Sequence, residues 1–202
     1  STVASYYLQK KYKVYLITFD NSAEKNLYKS RHKANLIKRQ FKKQCFWKLL
    51  DCSFLFHKLA IKNLENDIRE YGNLICCGCK LAMLSEAIIY CKSNRIDIIA
   101  DGFRKGQLYY PEQTPAYLDA ARFLAKRYGI IYAHPVYKMN LKEIKDLTIA
   151  AGIPVKEEQP DCLFALNRIK NKNIAKYMHA KVPVAKHYID SGIKMLLKVK
   201  NL

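Results

Sequence analysis

Apolar positions along this chain recur in two alternating styles, at helical spacing in longer stretches and as compact runs in shorter ones. From Ser1 to Lys11, Val3, Tyr6, Tyr7 and Lys10 stand at helical spacing, which predicts a helix. Lys13 to Phe19 is a β-rich run ending at Asp20. Ala23 to about Gln44 reads as one long basic helix with Leu27, Ala34, Ile37 and Phe41 on one side, and Trp47 to Cys52 as a second strand. Phe54 to Tyr71 is amphipathic and Gly72 is placed to end it. Cys79 to Lys92 is a further helix, with Leu81, Leu84, Ile88 and Cys91 three or four apart. Ile96 to Ala100 reads as a short buried strand, followed by Asp101-Gly102. Pro115 to Tyr128 is a helix, Ile130 to Ala133 a strand, and Leu141 to Ala151 a helix closed by Gly152 and Pro154. Two helical stretches end the chain, Ile169 to His179 and Val182 to Val199, the second opening near Pro183.

Strands separated by helices imply an α/β fold, a parallel sheet covered on both faces. Ligands of such sheets sit beyond the carboxyl ends of the strands, where Asp20 and Asp101-Gly102 fall. Gly102 to Thr114 is the longest irregular stretch and the candidate for a mobile loop. No internal repeat or interdomain linker interrupts the pattern.

The 202 residues suffice for one large domain with its own core. The formal charge of +19 changes the picture more. From Leu163 onward nine Lys and Arg face one acid, Asp190. Such a surface attracts polyanions, nucleic acid above all, although a Lys-rich solvated face reads the same way. A membrane partner is not expected: no apolar run reaches spanning length and the basic segments lack an adjoining Trp/Phe-rich face. The start lacks the pattern of a secretory leader, and seven irregularly spaced cysteines do not form a secreted disulfide framework. The expected compartment is the cytoplasm, where thiols stay reduced.

Cys76 and Cys79 form a C-x-x-C pair, and Cys162 lies in a distant turn-rich segment. Three thiolates suit an iron–sulfur cluster. Zinc would need a fourth ligand, Cys77 or His179, and a redox pair would leave Cys162 unused. Lys80 and a helix start beside the pair favour thiolate. Cys45, Cys52 and Cys91 lie on apolar faces and read as core. Asp20 and Asp101 suit either a ligand site or simple turns. Pro111-Glu112 and Pro115 read as helix capping. The five histidines show no metal spacing, and His134, at a strand end before Pro135, reads as structural.

Ser1-Thr2-Val3-Ala4-Ser5-Tyr6-Tyr7-Leu8, with Tyr12-Lys13-Val14 and Phe19-Asp20, resembles the stretch directly after the phosphate loop of the PP-loop ATP pyrophosphatases, the adenine nucleotide alpha hydrolase-like superfamily. Ser1 matches the last Ser of that family's Ser-Gly-Gly-x-Asp-Ser, so the rest of the loop is expected to precede it. Cys76-x-x-Cys79-Lys80-x-x-Met83, Ile98-Ile99-Ala100-Asp101-Gly102, Gln107 and Cys162 resemble the family's sulfur-inserting branch, the 4-thiouridine and 2-thiocytidine tRNA synthases. Phe103-Arg104-Lys105-Gly106 departs from the usual continuation, and no RNA-binding THUMP segment stands before the catalytic part.

The resemblance implies a Rossmann-like, HUP-type parallel sheet of about five strands with helices on both faces and a basic helical tail. It implies a catalytic ATP-binding domain over residues 1–160 and a helical extension over 161–202 packed on it. ATP would meet Ser1, Thr2, Asp20, Asp101, Gly102 and Gln107, with Mg2+ near Asp101. Cys76, Cys79 and Cys162 would carry the chemistry and hold a 4Fe–4S cluster, zinc being the runner-up. The reaction implied is adenylation of a carbonyl oxygen and then its replacement with sulfur from sulfide or a carrier. Arg104 and Lys105 would offset phosphate charge and, with Arg168, Lys170 and Lys172, contact tRNA. A homodimer is compatible with this. The alternatives are a deazaguanine nitrile synthase-like or small-molecule sulfur-transfer enzyme, with zinc or sacrificial cysteines, and a nucleic-acid-binding module without catalysis.

Overall fold

The computed structural model describes residues 2–25, 27–41, 45–152, 161–164 and 173–200. The elements run α1 (Thr2–Gln9), β1 (Val14–Asp20), β2 (Glu24–Lys25), α2 (Tyr28–Phe41), β3 (Cys45–Asp51), α3 (Ser53–Phe56), α4 (Leu64–Tyr71), α5 (Ile75–Asn94), β4 (Ile98–Ala100), α6 (Pro115–Lys126), β5 (Ile131–Ala133), α7 (Leu141–Ala150), β6 (Asp161–Cys162) and α8 (Ile174–Lys200). The chain is mixed α/β and mostly helical. It divides into two compact units, residues 1–50, 100–107 and 134–165 in one and 51–99, 108–133 and 166–202 in the other.

In the first unit, β1 and β3 form a parallel pair joined through α2. The indole N–H of Trp47 in β3 donates to Thr18 Oγ1 of β1 at 3.0 Å. Ala4, Ala34, Ile37 and Cys45 form its small core, and the Gln9 amide reaches Cys45 Sγ at 3.5 Å. β2 pairs antiparallel with β6, Glu24 opposite Cys162 and Lys25 opposite Asp161. At α7, Asn140 and Glu143 form a reciprocal capping box.

The second unit is built around α5, a helix apolar on every side and correspondingly buried. Leu81 and Ile88 of α5 pack with Tyr117, Leu118 and Leu124 of α6 and with Tyr177, Met178 and Ile189 of α8. Two glycines permit the close approach. A Cβ on Gly78 would lie 2.5 Å from the Tyr177 hydroxyl and 2.8 Å from Ala60 Cβ, and one on Gly192 2.7 Å from Ile89 Cδ1.

Several sequence expectations need correction. The helix expected from Ala23 begins only at Tyr28, because Asp20 and Asn21 turn the chain into β2 first. The helix expected over Phe54–Tyr71 is broken by a π-turn at His57–Ile61, which buries Leu59 and Ala60. β4 is not a buried strand: Ile98 is exposed. Pro183 does not open a helix but lies inside α8. It sits on the exposed side, where water can satisfy the carbonyl its missing N–H leaves behind. The start expected at Ile169 falls outside the described residues. Among those residues the strands form three two-stranded pairings.

No single helix among the described residues is long and apolar enough to cross a membrane. α4 and α5 reach that measure only when joined across a 115° bend, and α5 is core.

Candidate functional site

Asp101 and His134 each follow directly on one strand of the parallel β4–β5 pair, which ends them side by side. His134 Nδ1 lies 2.9 Å from Asp101 Oδ1. An ionised carboxylate only accepts, so the imidazole donates from Nδ1–H. The His134 side chain is 2% exposed and that of Asp101 19%, so the carboxylate is the more accessible of the two. The same Oδ1 accepts the Phe103 N–H at 3.0 Å, a turn closed across Gly102. The buried Phe103 ring stacks on His134, centroids 6.0 Å apart and planes 12° apart, and Tyr137 packs on the imidazole at 6.1 Å.

The loop after Asp101 is tied to the same wall. Lys105 N–H donates to the Tyr137 carbonyl at 2.9 Å. Arg104 Nε donates to Gln107 Oε1 at 3.3 Å, and Gln107 N–H to the Arg104 carbonyl at 3.0 Å. The stretch read as irregular thus contains 3-10 turns at Lys105–Gln107 and Pro111–Gln113. Asp101, Gly102, Arg104, Lys105 and Gln107 belong to one local arrangement within the first unit, with the Lys105 side chain exposed.

Asp20 and Cys162 lie in the same unit, joined through the turn into β2 and its pairing with β6. Asp20 Oδ1 accepts the Ser22 N–H at 2.8 Å, and the buried Asn21 accepts from Ala23 and Glu24 at 2.9 Å each. This turn, with Ser22 at φ 60°, aims the chain into β2. There Glu24 faces Cys162, and Leu163 N–H donates to the Ala23 carbonyl at 3.2 Å. Asp20 therefore performs turn chemistry, and that turn seats Cys162. Thr2 opens α1. Ser1, Arg168, Lys170 and Lys172 lie outside the described residues.

Cys76 and Cys79 occupy the opening turns of α5 in the second unit. Cys76 is half-buried and Cys79 is buried. Cys77 points into the core, its thiol pushed well up by burial and further by Glu112 and Cys76. Cys45, Cys52 and Cys91 are buried as expected, and burial with the Asp97 charge lifts Cys91 to about 12. Among the described residues no group of three or more His, Cys, Asp or Glu is gathered so as to hold a metal ion.

Sequence reasoning understated two residues. His134 was legible only as a strand-end histidine, though its position mirrors that of Asp101 at the neighbouring strand end. Glu112 was read as a capping acid, but it is buried and its Oε2 has no hydrogen-bond partner among the described residues. Burial raises its carboxyl pKa, partly opposed by a hydrogen bond from its own backbone N–H and then by Lys80. Pro115 does open α6 at its first position. No protein-family model matches this chain, and no curated protein matches it significantly in sequence.

Proposed function

We propose that the protein is an ATP-dependent, AMP-forming sulfurtransferase of the PP-loop kind that thiolates a tRNA base in the cytoplasm. One observation carries the reading: the turn after Asp20 seats Cys162 opposite Glu24, so a strand-end carboxylate and a candidate sulfur-handling thiol share one unit. Support also comes from the Asp101–His134 arrangement, from the charge of +19, and from seven cysteines outside any disulfide. The reading takes the parallel pairs as parts of one HUP-type sheet of about five strands. It takes residues 1–160 as catalytic and 161–202 as a basic extension.

In this reading a carbonyl oxygen of the base attacks the α-phosphorus of ATP, and pyrophosphate leaves. Sulfide, or sulfur from a carrier, then attacks the carbon, and AMP departs with the oxygen. Mg2+ is commonly held by one or two carboxylates together with substrate phosphates, and Asp101 is the carboxylate assigned to it in this reading. Arg104 and Lys105 offset the charge of the leaving pyrophosphate. Ser1, Thr2, Asp20, Gly102 and Gln107 complete the nucleotide contacts. Cys76, Cys79 and Cys162 remain the thiols assigned to a 4Fe–4S cluster, which when bound would present sulfur at an open iron. Among the described residues no three such ligands are gathered at one point. The tRNA would bind mainly through its phosphates, with Arg168, Lys170 and Lys172 among the contacts.

The test is iron and sulfide analysis of anaerobically purified full-length protein, beside AMP release from ATP with bulk tRNA and sulfide. Roughly two to four irons per chain, lost in Cys162→Ala, together with tRNA-dependent AMP release, is the expected result. Stoichiometric zinc, or no AMP release, overturns it.

A further inference from the structure

The first 50 residues carry twelve Lys and Arg against two acids, Asp20 and Glu24, and nine aromatic residues among them. On β1 and β3 these two kinds of side chain meet at the surface. Tyr15 and Phe46 stack at a centroid distance of 5.2 Å with 24° between their planes. Lys13 Nζ stands over both rings, 4.9 Å from Phe46 and 5.4 Å from Tyr15. Phe46 is 44% exposed, and Lys13 and Lys48 are exposed. Lys48 shares Phe46's side of β3, since residues two apart in a strand face the same way. Trp47 takes the opposite side, where Thr18 accepts its N–H and Arg31 of α2 lies over its ring at 5.6 Å.

A large exposed aromatic beside a second ring is a cost in water unless a partner covers it. The partner must be anionic, because this segment is cationic and nearly free of acid. It must also present flat apolar faces to match the rings. Single-stranded nucleic acid meets both demands: bases stack on aromatic side chains while phosphates pair with lysines. Duplex RNA offers its phosphates but not its base faces.

We propose that Lys13, Tyr15, Phe46 and Lys48 form a stacking platform for single-stranded RNA. The platform rests on the nucleic-acid part of the proposed function and not on its adenylation chemistry. It would hold an unpaired segment of the RNA, a loop or a splayed end.

The experiment is fluorescence anisotropy of a labelled single-stranded RNA of mixed sequence, titrated with the full chain at several salt concentrations. Phe46→Ala should weaken binding by about fivefold or more, and Phe46→Tyr, which keeps a ring, should bind as the parent does. Lys48→Gln should lower the slope of log K against log salt by about 0.7. The single tryptophan, Trp47, on the other side of the same strand, reports by its emission that the strand pair is intact in each variant. If the parent binds RNA while Phe46→Ala binds equally well, the platform is wrong and the tRNA reading stands. If the parent binds no RNA, both fail. Binding to phosphatidylserine vesicles in preference to RNA also overturns the platform.

Discussion

His134 donates from Nδ1 to Asp101 Oδ1 across 2.9 Å, and the two residues end neighbouring parallel strands. The imidazole is almost wholly enclosed, with Phe103 and Tyr137 packed on it, whereas the carboxylate is partly exposed. In the proposed reaction His134 is a positioning residue for Asp101.

Replacing His134 by Phe removes the donor while keeping a ring against Phe103. Pyrophosphate release should fall about a hundredfold, as expected when a reacting group is displaced by about an ångström. Binding of tRNA should be unchanged. His134→Asn offers an amide N–H near the place of Nδ1–H and should recover much of the loss. A purely structural role would lower the melting temperature of both variants without that recovery. Hydrogen exchange at the Phe103 amide, faster in His134→Phe than in His134→Asn, reads the same bond without turnover.

Glu112 gives a prediction with a definite sign. Burial raises its carboxyl pKa in the folded chain, its own backbone N–H and then Lys80 offsetting only part of the shift. The folded state therefore holds that proton more tightly than the unfolded state does. Stability falls as pH rises from the ordinary glutamate range through the raised value, and the penalty is complete above it. Glu112→Gln removes the charge, so it should be more stable than the parent at neutral pH. The gain should shrink as pH falls through the raised value and vanish at about pH 3, below the ordinary glutamate pKa of about 4.3, where Glu112 is protonated in both states. Urea melts of both proteins at the two pH values check this. A variant less stable than the parent at neutral pH would mean that the carboxylate is held by a cation.

The order of helices and strands was legible because each element carries its own period. Val14–Asp20, Pro115–Lys126 and Leu141–Ala150 fall within a residue or two of their expected ends. What failed was decided elsewhere in the chain. The Asn21 carboxamide caps a turn only once its neighbours are in place, and this cut short the helix expected from Ala23. Pro183 would stop an isolated helix, but Tyr177, Met178, Ala185 and Ile189 on either side are buried in one core. Strand burial differs at β4 for a related reason: Ile96, Ile98, Ile99 and Ala100 are apolar around the single charge of Asp97, yet Ile98 stands exposed. In the site, Asp101 was legible from its strand end, whereas its partner His134 lies 33 residues away and no local spacing signals it.

Gly78 lies between the two candidate thiols, and its missing side chain is what lets α8 and the π-turn approach α5. An alanine there meets the Tyr177 hydroxyl at 2.5 Å, Ala60 Cβ at 2.8 Å and Ala60 Cα at 3.3 Å. Two of these three atoms belong to a short, unadaptable residue. Gly78→Ala should therefore cost about 1–3 kcal/mol despite the better helix propensity of alanine. Adding Tyr177→Phe relieves only the first contact and gives up the bond from the Tyr177 hydroxyl to the Leu59 carbonyl, 3.2 Å long. The double variant should stay less stable than the parent in thermal melts. Full recovery would assign the clash to the hydroxyl alone.

Lys181 and Asp67 form the most enclosed Lys–carboxylate pair among the described residues, Nζ to Oδ2 at 2.6 Å with side chains 10% and 13% exposed. The pair joins α8 to α4, and Lys181 also stands 5.3 Å over the Tyr177 ring. Enclosed pairs contribute little net stability, because desolvation opposes attraction, but breaking one strands a charge. Asp67→Ala should cost about 3–5 kcal/mol, since Lys181 is left without its carboxylate. Lys181→Met combined with Asp67→Leu removes both charges and fills similar volume. It should return to within about 1 kcal/mol of the parent. Thermal melts of the single and double variants measure the difference. A double variant as damaged as Asp67→Ala would show that the ion pair itself, rather than the avoidance of a stranded ammonium, holds α8 on α4.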